Sequence, residues 1–273
     1  MTDRYAVIGN PVAHSRSPDI HAAFARETAQ DIEYLRLLSP LEGFAAAVGA
    51  FRDAGGRGAS ITVPFKEEAH RLADALSDRA RRAGAVNTLQ FNPSRIFGDN
   101  TDGIGLTRDL AQNLGILIAG KRVLMVGAGG AARGALGPLL DQKPATLVIA
   151  NRTEARAAEL AAKFSIDAAN TVTAVSLAAL SGRLFDIVIN ATAASLAGVA
   201  PPLPTGIYAR GALAYDMMYT PGDTPFMAQA RSQGAQVADG LGMLVEQAAE
   251  SFFLWRGVRP ATGTVLETLR RTR

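Results

Sequence analysis

The stretch Lys121-Arg-Val-Leu-Met-Val-Gly-Ala-Gly-Gly-Ala-Ala-Arg-Gly134 constrains the fold more than any other part of the chain. Val123 to Val126 form a short apolar run closed by glycine, the pattern of a buried parallel strand. Gly127, Gly129 and Ala132 follow with the spacing G-x-G-x-x-[G/A] at a strand-to-helix turn. The first glycine permits a tight turn, the second lets backbone approach a pyrophosphate, and Ala132 lets the helix close on the strand. The free N–H groups and dipole of the next helix favour anionic phosphates. Such a pattern arises by chance in a chain rich in Gly and Ala. Here the strand before it and the apolar positions after it (Ala131, Ala135, Leu136, Leu139, Leu140) favour a nucleotide site over an ordinary βα turn.

The rest of the composition sets bounds. A chain of 273 residues accommodates one large or two modest domains. Cysteine is absent, which excludes disulfides and thiol chemistry and fits a reducing, cytoplasmic setting. The first residues lack the basic and apolar regions of a signal peptide, and no apolar run reaches membrane-spanning length, so no membrane association is expected. Lys and Arg are scattered and the net charge is only +3, so nucleic acid is not an expected partner. A mildly positive protein suits an anionic substrate and cofactor. His14, His21 and His70 have no metal-ligand spacing, and no metal site is expected.

The first hundred residues alternate strand and helix patterns, which implies an α/β architecture. Strands are expected at Tyr5–Gly9, Glu33–Leu38, Ala59–Val63, Val86–Phe91 and Arg95–Phe97. Helices are expected from Pro18, over Leu41–Ala54, through Leu72 and Leu76, and over Ile104–Leu114. Polar residues collect at the strand ends, each with two readings. Ser15 and Ser17 either meet a ligand or, in the case of Ser17, cap the helix begun by Pro18. Lys66, in Val-Pro-Phe-Lys, is either a partly desolvated amine suited to proton transfer or a solvated residue starting a helix. Asn87 and Thr88 need partners if buried. Asp102, in Gly98-Asp-Asn-Thr-Asp-Gly103, either acts chemically or caps the following helix.

In the second half, the strand Ala145–Ala150 leads into Asn151-Arg152-Thr153, with Arg156 following. An acid at this point would accept from a ribose 2′-OH, whereas arginine pairs with a 2′-phosphate; the sequence thus favours NADP over NAD. The alternative is a polar loop with Thr153 capping the helix Ala155–Phe164. Further strands are expected at Leu184–Ile189, Leu213–Asp216 and Gln236–Ala238. Residues 193–212 read as a loop. Helices are expected from Thr224-Pro225, over Met243–Trp255, and over Thr264–Arg270.

These motifs, in this order, resemble the shikimate dehydrogenase family along nearly the whole chain. Asn10-Pro with Ser15-Arg-Ser-Pro18 and Ile20-His21 is similar to its N-terminal substrate loop. Ile61-Thr-Val-Pro-Phe-Lys66, Ala83-Gly-Ala-Val-Asn-Thr88, Gly98 to Gly103, Tyr215-Asp-Met217 with Tyr219, and Asp239 to Val245 with Gln247 complete the series. The resemblance implies two α/β domains: an N-terminal substrate domain, a Rossmann-like NADP-binding domain, and C-terminal helices returning to the first. Residues 1–102 and 241–273 would form the substrate-binding domain and 103–240 the NADP-binding one. Lys66 and Asp102 would be catalytic, with Ser15, Ser17, Thr62, Asn87, Tyr219 and Gln247 also holding substrate. Gly127, Ala128, Gly129, Gly130 and Ala131 would cradle the pyrophosphate, and Asn151, Arg152, Thr153 and Arg156 the adenosine phosphate. Thr192, Met217 and Gly240 would lie towards the nicotinamide, and Asp78 near the cofactor.

The implied activity is reversible NADPH-dependent reduction of 3-dehydroshikimate to shikimate, in aromatic amino acid biosynthesis, by a cytoplasmic monomer or homodimer. Alternatives are a quinate/shikimate dehydrogenase with broader substrate or cofactor choice, and a non-catalytic NADP-binding regulatory module. Two places depart from the family pattern. Ser60 stands where the family usually has Asn, and its shorter side chain then calls for a water to reach ligand. Ala193-Ala194-Ser195 replaces a Ser/Gly-containing sequence beside the expected cofactor loop.

Overall fold

The computed structural model describes residues 2–165 and 172–272. It divides into two units: one of residues 1–105 and 244–272, the other centred on residues 106–243. The divisions fall just inside a helix at each crossing.

The first unit begins with β1 (Asp3–Gly9), α1 (Ser17–Glu27), β2 (Ile32–Leu38), α2 (Phe44–Asp53) and β3 (Gly56–Ile61). It continues with α3 (Lys66–Leu72), β4 (Ala75–Leu76), α4 (Asp78–Ala83), β5 (Thr88–Phe91), β6 (Ile96–Asp99) and the start of α5 (Asp102–Arg108). The sheet order is β2-β1-β3-β5-β6-β4. β1 pairs in parallel with β2 and β3, whereas β5 pairs antiparallel with β3 and β6. The antiparallel pair arises because β5 and β6 are joined by the short Asn92-Pro-Ser-Arg95 turn, too short for a parallel crossover. Ala6, Ile8, Ala59 and Ile61 alternate onto one sheet face, where they pack with Phe44, Val48 and Phe65.

In the second unit α5 passes into a wide turn at Asp109–Asn113, followed by β7 (Arg122–Val126), α6 (Gly130–Asp141), β8 (Thr146–Ala150) and α7 (Glu154–Phe164). Then come β9 (Val172–Val175), β10 (Phe185–Asn190), β11 (Tyr208–Asp216), α8 (Pro225–Ser232) and β12 (Gln236–Asp239). α9 (Leu241–Arg256) returns the chain to the first unit, which α10 (Gly263–Arg271) completes. The second sheet has the order β12-β11-β10-β7-β8-β9 and is parallel throughout. This is the doubly wound dinucleotide-binding order, with its switch point between β7 and β10. Val123 and Met125 enter one core layer while Leu124 and Val126 enter the other. Burial on both faces explains why β7 is an uninterrupted apolar run.

Several local expectations are corrected. Ser17 does not cap α1: it is the first helical residue, Arg16 occupies the cap position, and no side chain makes the capping bond. The segment through Leu76 is not all helical, because Ala75 and Leu76 pair with Phe97 and Gly98. The helix expected over Ile104–Leu114 starts at Asp102 and widens after Arg108. Within the expected loop 193–212, β11 already begins at Tyr208, since its outer residues pair beyond an irregularity in the register. β9 carried no strong sequence signal; its four residues Val-Thr-Ala-Val are short and edge-placed.

Candidate active site

In the first unit, Lys66 and Asp102 lie on the first residues of two helices that follow sheet strands. Phe65, immediately before Lys66, is buried and stacks on Phe44 with ring centroids 4.8 Å apart, which anchors the start of α3. The Lys66 carbonyl accepts from Val86 N–H at 2.8 Å, fixing the turn further. Lys66 Nζ donates to Asp102 Oδ2 at 2.6 Å. Only 15% of the lysine side chain and 6% of the aspartate side chain are exposed, so solvent screens this pair weakly.

The second Asp102 oxygen, Oδ1, accepts from Asn87 Nδ2 at 2.9 Å. The same amide nitrogen lies 2.9 Å from Thr101 Oγ1 and 3.3 Å from Gln247 Oε1. It has two hydrogens for three acceptors, so these contacts share the donor. The Asn87 oxygen accepts from Thr101 N–H at 2.8 Å, which locks the amide's orientation. Lys66, Asn87, Asp102 and Gln247 therefore converge. Thr62 sits at the end of β3 with its methyl carbon close to Gly9, where a Cβ would meet it at 2.2 Å. Ser15 Oγ donates to Ser17 Oγ at 3.2 Å.

Behind this cluster lies a network that the residue pattern did not reveal. Arg79 grips both oxygens of buried Asp99, at 2.7 and 2.6 Å, and reaches Glu250 on α9 at 3.1 Å. Arg259 closes on the other Glu250 oxygen at 2.7 Å. Asp99 ends β6, three residues before Asp102, while Glu250 is three residues beyond Gln247; the network thus braces both supports of the site. Thr101 and Ser251 were also missed. Ser251 Oγ lies 2.7 Å from Thr88 Oγ1 and 3.2 Å from Thr101 Oγ1. Thr101 stood within the Gly98–Gly103 run, the one available signal; the others lie too far apart in sequence to be linked by spacing.

The second unit holds the dinucleotide features. Gly127 has φ +112°, and a Cβ there would lie 3.1 Å from the Thr192 methyl and 3.2 Å from Ala191 backbone. Glycine therefore meets both a conformational and a steric demand at the strand end. A Cβ at Gly129 would meet nothing within 4 Å, leaving open space at the N-terminus of α6, where Gly130 and Ala131 begin the helix beside buried Ala128. At the end of β8, Asn151 Nδ2 donates to the Thr153 carbonyl at 2.9 Å. Thr153 holds the cap position of α7 but makes no side-chain cap bond. Arg152 and Arg156 are exposed, and neither guanidinium pairs with a described residue. This set fits a dinucleotide carrying a 2′-phosphate: a glycine cradle for pyrophosphate and two unengaged cations beyond β8.

Across the switch point, Thr192 Oγ1 donates to Asn190 Oδ1 at 2.7 Å. Asn190 Nδ2 donates to Asp216 Oδ1 at 3.1 Å, while Ser195 and Thr224 hydroxyls both donate to Asp216 Oδ2 at 2.6 Å. Asp216 is fully buried, yet its carboxylate is satisfied by these donors and Met218 N–H at 3.0 Å. Ser195, in the departing Ala193-Ala194-Ser195 sequence, is thus tied into the loop's support. Met217 N–H donates to the Asn190 carbonyl at 2.9 Å. A Cβ at Gly240 would lie 2.2 Å from the Met217 carbonyl oxygen, so this crossing requires glycine. Tyr219 is half-buried in this unit, after β11. Asp78 belongs to the first unit, where it is 95% exposed and pairs with Arg81 at the start of α4.

Comparison with known proteins matches these features to one family. The shikimate dehydrogenase substrate-binding domain model matches residues 7–89, and the shikimate/quinate 5-dehydrogenase model matches 109–200. The shikimate 5′-dehydrogenase C-terminal domain model matches 240–270. The NADP(+)-dependent shikimate dehydrogenase of Aromatoleum aromaticum is 63% identical, covering 98% of this chain and 97% of the relative. Among solved structures, an Ael1 enzyme from Pseudomonas putida is 49% identical, with TM-score 0.89 and 98% of each chain covered. Shikimate 5-dehydrogenase from Thermus thermophilus, solved with NADP(H) and shikimate, is 34% identical, with TM-score 0.88 and 100% of both chains covered. On its sequence, its two α/β units and its glycine-turn sheet, this chain belongs to the shikimate dehydrogenase family.

Proposed function

We propose that this protein is an NADP-dependent oxidoreductase interconverting 3-dehydroshikimate and shikimate, acting in the shikimate pathway towards aromatic amino acids. The observation that carries the reading is the meeting of Lys66, Asp102, Asn87 and Gln247 in one weakly solvated cluster. NADPH supplies the hydride when bound. Lys66 holds a proton at Nζ for the carbonyl oxygen being reduced, and its charge stabilises the developing alkoxide. In the oxidative direction Nζ takes the hydroxyl proton back. Asp102 keeps the amine in place through Oδ2, and Asn87 keeps Asp102 in place through Oδ1.

On this reading the first unit binds substrate through Ser15, Ser17, Thr62, Asn87 and Gln247; Tyr219 is assigned to the substrate by family likeness alone. In the second unit Gly127 to Ala131 hold the pyrophosphate, and Asn151, Arg152, Thr153 and Arg156 hold the adenosine phosphate. Thr192, Met217 and Gly240 shape the nicotinamide side, and Asp78, like Tyr219, takes its place near the cofactor from family likeness. The protein works as a cytoplasmic monomer or homodimer on a small-molecule substrate, a setting that the cysteine-free composition fits. Among the described residues, no helix is long and apolar enough to cross a membrane.

The test is the absorbance of reduced nicotinamide with shikimate or quinate, each offered with NADP⁺ or NAD⁺. Turnover confined to shikimate with NADP⁺ is expected. Comparable quinate or NAD⁺ turnover moves the protein to the broader dehydrogenase class, and cofactor binding with no turnover rejects the enzymatic reading.

A further inference from the structure

Hydroxyl side chains from separate elements of the first unit meet at one phenol. Tyr34, on β2, donates from its hydroxyl to Ser60 Oγ on β3 at 2.7 Å. The Ser17 hydroxyl approaches the same phenolic oxygen, and Ser17 in turn accepts from Ser15 at 3.2 Å. Arg36 Nε holds the Ser15 carbonyl at 2.9 Å, steadying that end. His21, fully buried, stacks on the Tyr34 ring at 4.2 Å between centroids and 5° between planes. The ring therefore has little freedom to turn its hydroxyl away.

Ser60 also lies beside the chemistry. It pairs across the sheet with Thr88, whose hydroxyl joins Ser251 and Thr101 next to Asn87. A serine hydroxyl has one proton and two lone pairs. Once Ser60 Oγ accepts from Tyr34, its own proton is available for another acceptor, and no other described side chain bonds to it.

We propose that Tyr34 is a positioning residue for substrate recognition: by donating to Ser60 Oγ, it aims the Ser60 proton, beside the Ser15 and Ser17 hydroxyls, at the substrate's carboxylate. This rests on the shikimate dehydrogenase reading. Burial raises the phenol's pKa above its ordinary value, so Tyr34 stays a neutral donor across the neutral range. The phenol behind Ser60 thus supplies the orientation that an amide would otherwise provide.

The experiment compares wild type, Tyr34→Phe, Ser60→Ala and the double variant by steady-state kinetics in both substrates, with a thermal melt of each. Tyr34→Phe keeps the ring stacked on His21. Loss of one oriented neutral hydrogen bond should raise KM for shikimate about three- to tenfold. The effect on kcat should be smaller, and KM for NADP⁺ should hold. The double variant should bind shikimate no worse than Ser60→Ala alone, since Tyr34 acts through Ser60. Unchanged KM for shikimate in Tyr34→Phe overturns the inference, as do additive effects or an equal rise in both KM values. Wild type inactive on shikimate overturns the functional reading, and this inference with it.

Discussion

Lys66 and Asp102 stand 36 residues apart in the chain, yet their side chains meet at 2.6 Å. β3 delivers one and β6 the other, and the antiparallel β5 between those strands carries Asn87 at its entry. The sheet order thus places the strand that follows the carboxylate's orienting amide between the two strands that deliver the charged groups, and the amide holds the carboxylate oxygen that Lys66 leaves open. A group that moves a proton gains from this arrangement because its distance and direction are set before substrate arrives.

Removing the amine should therefore damage the chemical step more than binding. Lys66→Ala is expected to lower kcat about a hundred- to ten-thousand-fold, with a smaller change in KM. Asp102→Asn, which keeps the shape but not the charge, should also lower kcat. Steady-state assays in the oxidative direction decide the matter; an unaltered kcat for Lys66→Ala would remove it from the chemistry.

The two exposed arginines beyond β8 should control cofactor choice. Arg152→Ala is expected to weaken NADP⁺ about tenfold, because a charge-assisted contact to phosphate contributes about 1.5–3 kcal/mol and exposure reduces it. Arg156→Ala should act in the same direction. NAD⁺, which lacks the 2′-phosphate, should respond little to either change. Equal losses for both cofactors would assign the arginines to a general electrostatic role.

The crossing of Gly240 over Met217 should not tolerate a side chain. A Cβ would lie 2.2 Å from a carbonyl oxygen that belongs to backbone and cannot rotate away. Gly240→Ala is expected to cost about 1–3 kcal/mol in stability, as overpacking does, and to weaken NADP⁺ binding. Urea denaturation and cofactor fluorescence titration would measure both.

Acid should destabilise the first unit through His21. Burial among aromatic rings lowers the pKa of this imidazole to about 3, from an ordinary value of 6.5. The folded state keeps it neutral while the unfolded chain takes up a proton. Stability from this residue is hence intact above pH about 6.5 and falls as pH drops towards about 3, at up to ~1.4 kcal/mol per pH unit. His21→Phe keeps a stacked ring and removes the titration. Its urea midpoint should fall less steeply than the wild type's between about pH 6 and 4; parallel curves would contradict the assignment.

Much of the second unit was legible in the sequence, because its signals are local. The turn after β7 announces itself through contiguous residues: an apolar run, Gly127 and Gly129, and an apolar helix. The arginines that replace an acid after β8 are equally local. In the first unit, spacing identified Lys66, Asn87 and Asp102 only as polar residues near strand ends, and each kept a plain structural alternative. For Ser17 the capping alternative failed: it lies within α1, and the cap position belongs to Arg16.

The sequence by itself determined most of the strands that become buried, where the glycine turn after β7 lies, and the family to which the ordered motifs point. All of these follow from residue type and short spacing, which set backbone conformation and hydrophobic period. Tertiary structure alone decided that Asn87 bridges Thr101, Asp102 and Gln247, that Arg79 clamps Asp99 to Glu250, and that Tyr34 reaches Ser60. Those contacts join residues as far as 171 positions apart. A hydrogen bond depends on distances of a few tenths of an ångström, which exist only once strand order and helix packing have brought the segments together.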